Sequence, residues 1–274
     1  MLPPSEPSLR IPGVSKVGAS KRAERLNLIT AQGEETPALP LPAMYQALDV
    51  LNLEEGSRLE GASEEEMSYL RAVARWSRDY LTRPHAELGR PGPVCPWVEK
   101  SIQRRLYHLT VMDQPHLRVD EVEQAFHVMR RYFLEKEPVE HSLGQFKAIV
   151  TIFTGMPGEQ EAEFMKALHE RLKPAFVKEG LMLGEFYPAC AKTGLRNPAW
   201  HPLRSSPPLL VIRTMVRPDV AFLYEDLGFL ETYLRRFGQD GCNELKSFIE
   251  RRHCRLAPEE VRRLQETLGR FQQP

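Results

Sequence analysis

Three prolines surround one thiol in Arg90-Pro91-Gly92-Pro93-Val94-Cys95-Pro96-Trp97. Proline fixes φ, so the cysteine sits on a stiff backbone. Rigid presentation suits a nucleophile, because the thiolate attacks electrophiles, and it suits a ligand to haem iron. Cys95 is thus a catalytic candidate, and haem is the cofactor candidate that goes with it. The alternative is that Cys95 is a small buried hydrophobe in a stiff loop.

A second segment gathers more polar chemistry. Between Glu185 and Arg213 stand Tyr187, Lys192, Arg196, Asn197, Trp200, His201, Arg204, Ser205 and Ser206. Prolines 188, 198, 202, 207 and 208 interrupt it, so it reads as a long loop over 188–208. Such loops are uncommon and often functional. A guanidinium fork selects carboxylate or phosphate, and a neighbouring amide or hydroxyl completes the cradle. Arg196 with Asn197, and Arg204 with Ser205, have that form. Tyr187 or His201 would move a proton. The alternative is that the arginines satisfy the loop's own carbonyls.

Arg213 alternates with Leu209, Val211 and Met215, and Glu185 with Leu181, Leu183 and Tyr187. A charge on a core face needs a partner. The expectation is that Glu185 and Arg213 pair across two strands, unless that face is open to water. His85, His108, His116, His127, His141 and His169 stand alone and read as surface or capping residues. No metal site is expected, because the cysteines Cys95, Cys190, Cys242 and Cys254 are widely spaced and form no C-x-x-C pair.

The elements that would position these residues follow from periodicity. Ser63-Glu64-Glu65-Glu66 is a capping box, and Met67, Leu70, Val73 and Leu81 carry its helix toward Pro84. Leu106–Val111 reads as a strand. A helix follows from Asp120 with Val122, Phe126, Met129 and Phe133 on one face. Residues 146–153 are apolar on both faces, which marks a central strand. Thr154-Gly155-Met156-Pro157-Gly158 lacks the spacing of a dinucleotide loop and reads as an ordinary turn. A helix over about 159–179 carries Phe164, Leu168, Leu172 and Phe176, with Pro174 kinking it. Strands at 181–187 and 209–216 flank the long loop. Helices fill the C-terminus. The expected fold is α+β, a ferredoxin-like α/β sandwich with helices on one face of one sheet. The expected organisation is a draped N-terminal arm over 1–42, a core over 43–237 and a helical extension over 238–274.

Composition bounds the partners. Lys plus Arg equals Asp plus Glu at 37 each, so no global attraction to nucleic acid or anionic membrane is expected. No apolar run approaches the roughly 20 residues of a membrane helix, and the N-terminal Met-Leu-Pro-Pro-Ser-Glu-Pro has no signal-peptide pattern. With its cysteine usage, this points to the cytoplasm.

His85–Trp97, Gly180–Pro188, Gly194–Pro198 and Pro202–Arg213 together resemble a bacterial family built on a domain of unknown function. The resemblance spans about 65–235. It implies a histidine in many members where this chain has Tyr187. It implies no activity.

Two functions remain open. One is an enzyme of bacterial metabolism, of the primary or the specialised kind, acting on a small anionic molecule held by Arg196, Asn197, Arg204, Ser205, Glu185 and Arg213. Its site would lie between the Cys95 loop and the 188–208 loop. The other is a non-catalytic binding or scaffold protein using the same groove, with the N-terminal arm or C-terminal helices meeting a protein partner.

Overall fold

The computed structural model describes residues 41–116, 118–252 and 255–272, with a two-residue strand pair, Leu28–Ile29 against Glu35–Thr36. The arm expected over 1–42 falls almost wholly outside the described residues, as do His253 and Cys254. The chain divides into two compact units, residues 1–172 with 183–213, and residues 173–182 with 214–274.

A five-stranded sheet comprises β1 (Tyr45–Gln46), β2 (Tyr107–Asp113), β3 (Ala148–Thr154), β4 (Leu181–Phe186) and β5 (Leu209–Thr214), in the order β1-β2-β3-β5-β4. β2 and β3 run parallel, with Tyr107 opposite Ala148 and Asp113 opposite Thr154. β3 and β5 run antiparallel, with Ala148 opposite Arg213 and Ile152 opposite Leu209.

Helices cover both faces. On one face Leu109, Ala148, Val150, Ile152 and Leu209 share a core with α1 (Ala47–Asn52), α2 (Glu64–Trp76) and α3 (Val98–Gln103). On the other, Phe153 stacks on Phe126 of α4 (Val119–Glu135) at 6.2 Å and meets the edge of Phe164 of α6 (Glu161–Lys178) at 5.9 Å. A one-turn α5 (His141–Gly144) lies between α4 and β3. The chain is α+β, but the single helical layer expected of a ferredoxin-like sandwich is corrected to two. The cause is legible in β3, whose residues Ala148 to Phe153 are all buried. A strand apolar on both faces needs cover on both.

α2 starts as its sequence requires. Ser63 Oγ accepts from Glu66 N–H at 3.1 Å, and Glu66 Oε2 accepts from Ser63 N–H at 2.8 Å. Met67, Leu70, Val73 and Ala74 then enter the core. The helix continues as one wide π turn over Ser77–Leu81. Such turns shift the side chains that follow them and occur often at functional sites. Here Ser77 Oγ meets Tyr107 Oη at 3.1 Å.

The second unit is helical. It contains α7 (Val220–Leu223), α8 (Leu227–Arg252) and α9 (Pro258–Phe271), around Leu230, Leu234, Leu245, Phe248, Leu264 and Leu268. Gly238, at φ +52° and ψ −130°, is non-helical and divides α8 into two helical stretches. Among the described residues no helix is long and apolar enough to cross a membrane.

Candidate functional site

Residues 81–84 and 93–95 approach each other as a short hairpin. Val94 N–H donates to Arg83 O at 2.9 Å and Cys95 N–H to Leu81 O at 2.8 Å. This anchors the proline-rich turn against α2. Cys95 is half-buried and packs against the core beneath that helix.

The two loops singled out by sequence touch. Asn197 Nδ2 donates to Glu87 Oε2 at 2.5 Å, and Arg196 donates to Gly89 O at 3.4 Å. The His85 ring stacks on Trp200 at 4.9 Å. Behind this contact runs a row of rings. Trp76 meets the edge of Phe186 at 5.6 Å and stacks on Tyr80 at 5.6 Å. Tyr80 meets the edge of His85 at 5.9 Å and donates to Pro202 O at 3.4 Å. Aromatic pairs in these geometries add about 0.5–1.5 kcal/mol each beyond burial. The row ties β4 and α2 to both loops. Gly194 closes the inner bend, where a Cβ would stand 2.9 Å from the Trp200 ring and 3.0 Å from Asn197 O.

Below the 188–208 loop lies a buried charge. Glu185 is 3 % exposed. Its Oε1 is 2.5 Å from Lys192 Nζ and 3.8 Å from His169 Nδ1. Its Oε2 is buried and has no hydrogen-bond partner among the described residues. His169 Nε2 is 3.3 Å from Leu183 O. Tyr187 and Cys190 complete the group, and Cys190 N–H donates to Tyr187 O at 3.0 Å. Burial, reinforced by the Glu185 charge, pushes the Tyr187 phenol up to about 12. Burial raises the Cys190 thiol too. Both stay protonated near neutrality.

The expected Glu185–Arg213 pair does not form. A Cβ on Gly184 would meet Val211 at 3.8 Å, and Phe186 packs in the same core as Val211. Gly184, Phe186, Val211 and Arg213 therefore share one sheet face. Alternation puts Glu185 on the other, toward α6, where His169 meets it.

The remaining expected residues are placed as follows. Arg204 is exposed, and its Nε donates to Cys190 O at 3.3 Å. Its terminal nitrogens make no hydrogen bond among the described residues. Ser205 is buried and donates to Pro207 O at 3.1 Å within its own loop. Asn197 Oδ1 accepts from Ala199 N–H at 3.0 Å. His201 is half-buried, and its carbonyl accepts from Arg204 N–H at 3.3 Å. Arg213 is half-buried.

Sequence reasoning passed over His169. It is 6 % exposed, not a surface residue. Met165, Leu168 and Leu172 lie four before, one before and three after it, which places it on the buried stripe of α6. That spacing was the available signal. His108 is likewise buried, its ring 2.8 Å from Gln46 Nε2, and burial lowers its pKa.

A family profile matches residues 70–248, a span that contains all four sequence blocks quoted above. The chain belongs to the DUF6875 family, a domain of unknown function. No curated protein and no solved structure matches it. Within the DUF6875 region, the Glu185 group and the contact between the two loops are two places where polar side chains from separate segments meet.

Proposed function

We propose that the DUF6875 domain binds a small anionic molecule beside its 188–208 loop and acts on it as an enzyme through Glu185. The observation that carries this is the buried carboxylate with one oxygen unpartnered. Such an oxygen costs about 1–3 kcal/mol or more if left unmet, and folding alone does not call for it. Carboxylates in such settings serve as proton acceptors. Lys192 sits against the same carboxylate with its side chain 51 % exposed, so the group borders solvent. Arg204 offers a planar fork close by, since Tyr187 N–H bonds Leu203 O and Arg204 bonds Cys190 O. Tyr187 supplies a protonated phenol. The packed position of Cys95 lends no support to a haem ligand, and haem forms no part of this reading.

Incubating the purified protein with a bacterial small-molecule extract, and following depletion by mass spectrometry, tests the enzymatic part. Depletion of an anionic compound by the wild type but not by Glu185→Gln supports it. No depletion by either protein counts against it.

A second reading is a non-catalytic binding or scaffold protein. It is favoured by the use of Arg196, Asn197 and Arg204 in tying loop carbonyls and Glu87 together. Under that reading these side chains hold the loop for a partner and move no proton.

A further inference from the structure

We infer that the ligand of this site carries a protonated amine as well as an anionic group, and that the Lys192 ammonium occupies the place the ligand's ammonium takes. The inference rests on the reading above and narrows its substrate class.

A carboxylate oxygen accepts hydrogen bonds and repels anions. A ligand that reaches Glu185 must therefore present N–H or O–H there. Within the cluster His169 Nε2 lies against Leu183 O, and Lys192 Nζ holds Oε1. Oε2 is left buried and unpartnered among the described residues.

Lys192 is the member able to leave. Its side chain is 51 % exposed while that of Glu185 is 4 % exposed. Its ammonium can swing into water at little cost, because a lysine stem is flexible and strongly hydrated at its tip. An incoming ammonium then replaces it at Oε1 and has further N–H groups for Oε2. The exchange is cation for cation, so the buried carboxylate never loses its counter-charge. An uncompensated buried charge would be costly. Arg204 is fixed by Nε to Cys190 O, which leaves its terminal nitrogens to take the anionic end. A carboxylate acceptor and a guanidinium fork on the same segment suit a zwitterion of the amino-acid or aminophosphate class.

Melting temperature measured with matched probes tests this. The panel is glycine, β-alanine, 4-aminobutyrate and phosphoethanolamine, then acetate, propionate, butyrate and ethyl phosphate, then ethylamine and butylamine. The expected result is a dose-dependent rise with at least one zwitterion, and none with its deaminated acid or with the simple amines. Lys192→Ala removes the competing ammonium and binds that zwitterion roughly fivefold more tightly, the worth of a partly exposed ion pair. Glu185→Gln loses the response. Equal shifts from zwitterions and deaminated acids would overturn this inference and leave the anion reading standing. Shifts from simple amines alone, or from no probe, would overturn both.

Discussion

Lys192 Nζ stands 2.5 Å from Glu185 Oε1, one side chain half exposed and the other almost wholly buried. The asymmetry gives the two truncations different costs. Lys192→Ala leaves a buried carboxylate without its counter-charge and should cost about 1–3 kcal/mol. Glu185→Gln releases a lysine to water and should cost less than about 1 kcal/mol. Urea unfolding of both single mutants and the double mutant checks this. The same cycle on Glu185 and Arg213 should be additive, because the two lie on opposite faces of the sheet.

The loop contact should be stiff and sensitive at its bend. Trp200 is 4 % exposed and stacked on His85. Trp200→Ala should cost about 3–5 kcal/mol. In Gly194→Ala the added Cβ would press on the Trp200 ring and a backbone carbonyl. Limited proteolysis should cut both mutants within 188–208 sooner than the wild type.

Lys147 gives a pH signature away from the site. Its Nζ donates to Phe133 O at 2.5 Å and Lys136 O at 2.6 Å, at the end of α4. Burial pushes its pKa down to about 8, with Glu137 opposing and Lys136 adding. Unfolded, the group titrates near its ordinary value of 10.5. Between about pH 8 and 10.5 the unfolded chain holds the proton that the folded chain has lost. This contribution to stability therefore rises with pH through that window and is lost as pH falls through 8. Denaturation across pH 7–10.5 should show the rise in the wild type and a smaller one in Lys147→Met.

Arg204→Lys separates ligand binding from loop fixing. It keeps the charge and loses the planar fork. If Arg204 serves a ligand, binding should weaken about tenfold or more while the melting point stays within a few degrees. A lower melting point with unchanged binding would assign Arg204 to its bond with Cys190 O.

Much of the fold was legible because strong patterns read the same way at every level. The Ser63 capping box, the four-residue stripe of α6 and the doubly apolar β3 each formed where their periodicity placed them. The two loops touch through His85, Glu87 and Gly89 on one side and Trp200, Asn197 and Arg196 on the other. The partner of Glu185 was not legible. Alternation fixes the face of each strand only relative to itself, and the phase between β4 and β5 depends on how the intervening loop closes. His169 was hidden for a related reason. An imidazole on a buried helix stripe announces itself only by position, and its carboxylate lies on a strand beyond it. Tyr45–Gln46 and α1 are too short to show a period.

The most direct test is an unbiased mass-spectrometric comparison of the small molecules that copurify with the wild-type protein and with Glu185→Gln. The account predicts a small compound, bearing both an amine and an anionic group, enriched on the wild type and lost from Glu185→Gln at unchanged fold. A compound retained equally by both proteins, or no enriched compound at all, would contradict it.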